Sequence, residues 1–193
     1  MGLDMYLNRM PRYRGATARD VSAVESYLDW QDAKARGSEY ANCTFKEWCG
    51  REKLPSNDYL KFYSDFYTTK YQYDDTERKY GHAGIMEQVG YWRKANAIHK
   101  WFVDNIQDGE DDCRYHREVT KEDLEELRDI CHEVLCNPDV AEERLPTQDG
   151  FFFGGTDYDE WYIDNLKTTI EIVDKVLATT DFDKEMIYYR SSW

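Results

Sequence analysis

The sequence lacks an apolar run long enough to cross a membrane, and its opening residues, MGLDMYLNRM, lack the apolar core of a secretion signal. No internal repeat, low-complexity tract or long linker divides the 193 residues. The cysteines number 5, an odd count that does not suit a closed set of disulfides. We therefore expect a cytoplasmic protein with reduced thiols and no membrane association.

Positive charge is also scarce. The 25 Lys and Arg residues stand against 39 Asp and Glu residues, which gives a net charge of −14. Such a surface repels the phosphates of nucleic acids, so the composition argues against direct nucleic-acid binding. Two interpretations of the charge stay open: it docks a protein partner with a basic surface, or it only keeps the protein in solution.

Familiar catalytic motifs are missing as well. The sequence contains neither the G-x-S-x-G turn of hydrolases nor the H-E-x-x-H pair of zinc proteases, and its glycine pair at 154–155 matches no phosphate-binding loop. Enzyme activity is therefore left open, with the balance towards a protein that is not an enzyme. No cofactor is predicted.

The composition that is present is globular, with 41% hydrophobic, 33% charged and 16% aromatic residues. The length suits a single domain over residues 1–193. Residues at about 30–85 are more polar and more aromatic than the rest, which indicates a possible helical excursion from that domain.

Both ends of the chain alternate as β-strands do. Leu3, Met5 and Leu7 fall on one side near the N-terminus, and Ile187 and Tyr189 share one side near the C-terminus. Because a two-stranded ribbon is marginal alone, we expect the two ends to pair within a small antiparallel sheet. The fold class that follows is α+β and mostly helical.

Helix starts are marked by capping boxes, in which a threonine and an acidic residue three positions later satisfy each other's backbone N–H groups. Such pairs occur at Thr17 and Asp20, at Thr44 and Glu47, and at Thr120 and Asp123. The last helix is expected to begin at Thr156. The polar segment DDTERKYGHAG, at 74–84, is predicted to be a mobile loop.

The most informative stretch is GYWRKANAIHKWF at 90–102, which predicts a helix over about 88–106. At about 100° per residue, His99 lies on the same apolar face as Ile98 and Phe102, with Asn96 at its edge. Buried polar groups need partners. These two residues either tie the helix into its own core, or form a cleft floor with His99 as base or ligand and Arg93 as anion clamp.

The segment PTQDGFFFGGT, at 146–156, is the second candidate. Three consecutive phenylalanines on a strand cannot all enter one core, so Phe152, or Phe151 with Phe153, is expected to face another surface. The backbone amides after the glycine pair could bind an anion, but acidic residues crowd the helix start that follows. A protein contact or a structural turn is therefore favoured.

The segment QDGEDDCRYH, at 107–116, is the third candidate. Its carboxylates suit a hard cation, and Cys113 and His116 have a C-x-x-H spacing, but no second pair stands at zinc-site spacing. No metal site is predicted here. Asp111, Asp112, Cys113 and His116 are weak candidates for ligands.

Four quoted pieces occur together: MGLDMYL at 1–7, GYWRKANAIHKWFV at 90–103, QDGEDDC at 107–113 and PTQDGFFFGGTDYDEWY at 146–162. As a set they resemble a family of small uncharacterised proteins from phages, prophages and other bacterial mobile elements. The resemblance covers the N-terminal strand and most of residues 88–178. It implies an accessory protein in the bacterial host cytosol that binds host machinery, including antiviral defence proteins.

Two functional hypotheses lead, ahead of a third, a metal-dependent hydrolase that would use Asp111 and Asp112. The first is stoichiometric binding to a host protein with a basic surface, as an anti-defence, for example anti-CRISPR-like, inhibitor. The alternative is a small-molecule or nucleotide pocket around Arg93, Asn96 and His99, for sequestration or hydrolysis of a signal. Candidate residues for ligand or partner contact, taken from the motifs above, are Asp4, Tyr6, Trp92, Arg93, Asn96, His99, Phe152, Thr156, Tyr158 and Trp161.

Overall fold

The structure is a computed structural model that describes residues 2–67, 73–74, 79–80 and 84–193. Its helices and strands confirm the α+β fold. In chain order they are β1 (Asp4–Pro11), α1 (Ala18–Ala35), α2 (Phe45–Cys49), α3 (Asn57–Tyr63), β2 (Tyr73–Asp74), β3 (Lys79–Tyr80), β4 (Glu87–Arg93), α4 (Asn96–Ile106), α5 (Lys121–Cys136), α6 (Ala141–Arg144), α7 (Glu160–Thr179) and β5 (Glu185–Ser192). In these described ranges, every helix is too short or too polar to span a bilayer.

The chain forms two compact units. Met1–Arg9 and Gln88–Trp193 make up the first, called here the terminal unit because it contains both chain ends. Met10–Glu87 make up the second, the middle unit. The helical excursion expected at about 30–85 falls within the middle unit, which begins earlier because it also contains α1. The single-domain assignment stays a prediction.

A three-stranded antiparallel sheet has the order β4-β1-β5, so the N-terminal and C-terminal strands pair as predicted. Leu3, Met5 and Leu7 are fully buried, as are Ile187 and, at 1% exposure, Tyr189. This face of the sheet is closed by helices, because burying one face of an amphipathic strand requires a second layer. α5 and α7 lie along each other and supply part of that layer.

The helix starts were predicted well where a capping box is present. All three boxes form, and they begin α1, α2 and α5. α2 ends at Gly50, whose φ of 72° is the left-handed conformation that glycine adopts without strain. The last helix was predicted to begin at Thr156 and instead begins at Glu160, because the Asp159 side chain accepts from the N–H of Tyr162 and forms the cap.

The prediction of one helix over 88–106 was wrong in its first half. Residues 87–93 form β4, Lys94 turns the chain with a φ of 56°, and α4 begins only at Asn96. Gly90 is a poor helix former, and a Cβ there would lie 2.7 Å from Cγ2 of Ile172 on α7. The close approach of α7 therefore requires glycine in a strand at this position.

The middle unit is held together by aromatic contacts. Tyr13 stacks on Phe62 of α3 with ring centroids 4.3 Å apart, and Phe45 of α2 packs against Tyr27 and Trp30 of α1. β2 and β3 form a two-stranded antiparallel ribbon in this unit. Most of the loop expected to be mobile, at 74–84, lies outside the described residues.

Candidate functional site

His99 of α4 is fully buried and is hydrogen bonded at both ring nitrogens. Nδ1 lies 2.7 Å from the hydroxyl of Tyr189 on β5, and Nε2 lies 3.0 Å from a carboxylate oxygen of Asp111. A phenol can donate and an ionised carboxylate only accepts. The network is therefore satisfied when Tyr189 donates to Nδ1 and the Nε2–H donates to Asp111.

Asp111 connects this network to the end of the chain. Its second oxygen accepts from the indole N–H of Trp193 at 3.0 Å. Burial raises the pKa of Asp111, but hydrogen bonds from His99, Trp193 and Gln148 outweigh it, so the pKa lies below its ordinary value. Burial, with the Asp111 charge adding to it, holds the pKa of Tyr189 well above its ordinary value.

Asn96 ties the Phe-rich segment to the start of α4. Its amide nitrogen donates to the carbonyl oxygens of Phe153 at 3.2 Å and Gly155 at 2.7 Å, and its oxygen accepts from the N–H of Gln148 at 3.3 Å. Phe153 in turn meets the His99 ring edge to face, with centroids 5.1 Å apart. The buried polar residues of α4 thus bind the protein itself, which is the core interpretation offered by the sequence.

The side chains of Arg93, Asn96 and His99 do not line the common pocket that the alternative hypothesis predicted. Arg93 lies on the solvent-facing side of β4, with Nη1 3.8 Å from Asp4, while His99 has no exposed surface. The reason is the strand at 87–93: successive side chains of a strand point to opposite faces, so Trp92 enters the core and Arg93 does not. The Trp92 indole donates to Thr169 of α7 at 3.0 Å.

Asp4, Tyr6 and Arg93 instead share the outer face of the sheet. The Tyr91 hydroxyl donates to Asp4, and the rings of Tyr6 and Tyr91 lie 5.6 Å apart. Arg190 of β5 is exposed, and its guanidinium lies 5.8 Å from the ring centre of Tyr115. Three of the residues predicted to contact a ligand or partner therefore lie on an outer sheet face that carries tyrosine and arginine side chains, apart from the buried His99.

The remaining predicted residues, Phe152, Thr156, Tyr158 and Trp161, lie on or before the first turn of α7. Tyr158 and Trp161 are exposed, at 42% and 57%. Phe152 is half-buried against the core. The expectation for the phenylalanines was wrong in detail, because they lie in a turn rather than a strand: Phe151 is 96% exposed and Phe153 is buried.

A narrow cleft opens beside Trp161. Its volume is about 10 Å³. Its polar lining includes Lys94, Asn96, Thr147, Asp157 and Asn165. The space suits about one ordered water, so it is an indentation in the surface rather than a ligand cavity.

Asp111 and Asp112, both weak candidates for metal ligands, belong to different hydrogen-bonded pairs. Asp111 is engaged with His99, whereas Asp112 accepts from His116 at 2.8 Å. Glu110 joins that pair, with the three potential ligand atoms within 4.8 Å of one another. Hydrogen bonds from His116 and Arg114 overcome the effect of burial and lower the pKa of Asp112. Its carboxylate is thus already engaged by the His116 ring and by the backbone N–H and guanidinium of Arg114.

The five cysteines form no disulfide, and Cys113 lies in a left-handed turn with a φ of 60°. Cys131 is buried on α5, and burial raises the pKa of its thiol to about 12. A thiol with such a pKa carries almost no thiolate near neutral pH, which makes it a packing residue rather than a nucleophile.

Sequence reasoning missed Tyr189, Trp193 and Gln148 as partners of the buried network. The alternation in β5 does place Tyr189 on the inward side with Ile187, but nothing local pairs it with His99, 90 residues earlier. Nor does any motif join Trp193 to Asp111.

The negative charge is unevenly distributed. The middle unit holds 12 Lys and Arg residues against 13 Asp and Glu residues, a net charge of −1. The terminal unit holds the other 13 basic and 26 acidic residues, a net charge of −13. Comparison with known proteins adds no relative to this picture: the chain matches no protein family, no curated protein and no solved structure.

Proposed function

We propose that the protein acts by stoichiometric binding to another protein, and that the acidic terminal unit docks a basic surface of that partner. The observation that carries the proposal is the exposed aromatic pair Tyr158 and Trp161 at the start of α7, which stands among carboxylates in a unit of net charge −13. We call Asp157, Tyr158, Glu160 and Trp161 the α7 entrance.

Exposed tryptophan and tyrosine are the side chains that most often dominate binding energy at protein interfaces. Trp161 offers a face to an arginine or lysine side chain, and a cation over an indole is attracted by its π electrons. Tyr158 is held in place by an edge-to-face contact with Tyr162, with centroids 5.0 Å apart. The aromatic platform is therefore partly pre-organised, which lowers the entropy cost of docking.

The carboxylates of the α7 entrance complement such a partner. Asp157 lines the same cleft as Trp161, and Glu160 immediately precedes Trp161 in the sequence. Neither is in an ion pair among the residues that the structure describes. The net charge of −13 on the terminal unit also attracts a basic partner from a distance and repels an acidic one.

A binding role agrees better than catalysis with the state of the histidine network. His99 has both ring nitrogens hydrogen bonded within the protein and no exposed surface. A general base needs to reach the proton that it takes, directly or through one water. Asn96 and His99 contact the segment that leads to the α7 entrance, through the carbonyl oxygens of Phe153 and Gly155 and the ring of Phe153.

The resemblance to phage and mobile-element proteins bears on which partner to expect. We propose a protein of the bacterial host cytosol, with antiviral defence proteins as the first class to test. Nucleic-acid-handling defence proteins present basic grooves, and an acidic protein with exposed aromatics complements such a groove.

The test is capture of a host partner followed by titration of the purified pair. We expect one partner per protein, with affinity that falls as salt rises from about 0.1 to 0.5 M because the attraction is screened. Trp161→Ala should weaken the affinity by about tenfold or more, as truncation of a central aromatic anchor does. The double variant Asp157→Asn/Glu160→Gln should weaken it less and flatten the salt dependence.

Tyr40→Ala is the matched control, because Tyr40 is 88% exposed but belongs to the middle unit. It should bind like the wild type. Equal losses for Trp161→Ala and Tyr40→Ala would remove the α7 entrance from the interface. Absence of any retained partner at low salt and high loading would overturn the binding function itself.

A further inference from the structure

A second, larger cleft lies within the middle unit. It has a volume of about 520 Å³, inside the range of about 300–1,000 Å³ that is usual for small-molecule sites. The start of α1, the segment that follows α2 and the start of α3 form its walls. Its lining residues are Arg19, Asp20, Ala23, Arg51, Glu52, Lys53, Leu54, Pro55, Ser56 and Tyr59.

Three cations line this cleft: Arg19, Arg51 and Lys53. None of them has a carboxylate partner among the described residues. A protein with a net charge of −14 could neutralise them easily, yet it leaves them together in one concavity. Clustered like charges repel one another, so the cleft favours an anion.

The two acidic residues of the lining are already engaged. Asp20 accepts from the backbone N–H of Thr17 at 2.8 Å and from its hydroxyl at 2.7 Å, as the capping box of α1 requires. Glu52 is paired with Lys46 at 2.6 Å. Their carboxylates are therefore held by the protein, and the cations remain available to a ligand.

Arg51 is the best positioned of the three. It is half-buried, and its Nη2 donates to the hydroxyl of Ser22 on α1 at 2.9 Å. That bond fixes one end of the guanidinium and leaves its other N–H groups to a ligand. A planar, pre-organised guanidinium binds phosphate oxygens in pairs, which makes arginine suited to phosphate recognition.

Apolar and aromatic residues also line the cleft. Leu54 and Pro55 adjoin the cations in sequence, and Tyr59 of α3 is braced by an edge contact with Tyr13, with ring centroids 6.1 Å apart. An aromatic face beside a basic groove is the arrangement that stacks a nucleobase while cations hold its phosphates.

We propose that this cleft binds a small nucleotide, with its phosphates on Arg19, Arg51 and Lys53 and its base against Tyr59. The site lies in the unit whose own net charge is −1, whereas the terminal unit carries −13. This site is separate from the α7 entrance and does not depend on it.

The test is calorimetric titration of the full chain at about 0.15 M salt, where weak surface attraction is largely screened. The probes are ATP, inorganic tripolyphosphate and adenosine. We expect saturable binding of one ATP, weaker binding of tripolyphosphate and no binding of adenosine. Arg51→Gln should weaken ATP binding by about tenfold or more, since a charge-assisted bidentate contact is lost. Tyr59→Leu should weaken ATP but not tripolyphosphate.

Arg14→Gln is the matched control, because Arg14 is an exposed arginine of the same unit that does not line the cleft. Its affinity should stay within about twofold of the wild type. No saturable binding of ATP or tripolyphosphate would overturn the proposal, as would equal losses in Arg14→Gln and Arg51→Gln. Adenosine binding as tightly as ATP would overturn the role of the cations, and tripolyphosphate binding as tightly as ATP would overturn the role of Tyr59.

Discussion

The terminal and middle units differ in charge and in how their interiors are built. The terminal unit carries a net charge of −13, and its core is one continuous apolar cluster into which a fully hydrogen-bonded histidine is set. The middle unit is close to neutral and relies on contacts between aromatic rings. The net charge of the chain, −14, therefore comes almost entirely from the terminal unit.

The net charge of a whole chain can therefore hide units that differ widely in charge. A value of −14 argues against phosphate binding when it is spread over the molecule. Divided between the units, it leaves a cleft lined by three cations in the middle unit and concentrates the excess of carboxylates in the terminal unit. The following changes test this contrast, from the largest expected effect to the smallest.

His99→Ala should destabilise the terminal unit most. It opens a cavity in the core and leaves the Tyr189 hydroxyl and the buried side of Asp111 without a partner. The expected cost is about 3–5 kcal/mol of the free energy of unfolding. Hydrogen exchange should show the loss of protection concentrated in peptides of α4 and β5.

His132→Ala is the control, because His132 is exposed on α5. It should change the stability by no more than about 0.5 kcal/mol. If His99→Ala is as mild as His132→Ala, the network is not what secures the terminal core. A loss of protection centred on α1 and α3 would contradict the assignment of His99 to the terminal unit alone.

Gly90→Ala tests how tightly the terminal unit is packed. The added Cβ would lie 2.7 Å from Ile172 on α7 and 3.3 Å from Leu7 on β1, so a helix or a strand has to move. We expect a cost of about 1–3 kcal/mol, measured by urea unfolding. Gly155→Ala, where a Cβ meets nothing within 4 Å, should be nearly neutral. Two equal and small effects would mean that α7 yields easily.

Glu25 in the middle unit and Asp111 in the terminal unit should contribute to the pH dependence of stability with opposite signs. Burial, and then the charge of Asp29, raise the pKa of Glu25 above 4.5 in the middle unit, although N–H groups of Met86 and Ile85 oppose the shift. The folded state thus holds this proton more firmly than the unfolded state does, so the contribution of Glu25 to stability rises as the pH falls towards 4.5. This is the smallest of the three effects.

The contribution of Asp111 to stability changes with pH in the opposite direction. Its pKa is lowered below 3.8, so its contribution to stability is present above that value and is lost as pH falls through the lower, folded-state pKa. Urea unfolding over pH 3–7, followed by hydrogen exchange, separates the units. Glu25→Gln should flatten the response of the middle unit, and Glu39→Gln, at an exposed position, should leave it unchanged. A Glu25→Gln variant with the same pH response as the wild type would contradict the role given to Glu25.

Sequence signals predicted the fold best where the residues involved satisfy one another locally. Thr120 and Asp123 begin α5 as expected, because a capping box satisfies its own N–H groups and needs no distant residue. The alternation of Leu3, Met5 and Leu7 gave their burial correctly. Residues 88–95 were misassigned because an aromatic run fits helical and strand periods alike over so few positions.

The candidate site was predicted in part. The burial of Asn96 and His99 follows from the apolar residues around them, and both are 5% exposed or less. Arg93 was grouped with them only because a continuous helix was assumed. The cleft of the middle unit escaped notice, because Arg19 and Arg51 are 32 positions apart and only the packing of α1 against the segment after α2 brings them together.

The sequence by itself determined the two terminal strands, the capped helix starts and the inward direction of His99. Each depends on residues within a few positions of one another, where period and hydrogen bonding act locally. Only the tertiary structure decided what His99 binds, on which side of the sheet Arg93 stands and how the charge divides between the units. Those outcomes depend on contacts between distant segments, such as Tyr189 with His99, whose geometry is set by the packing of the whole unit.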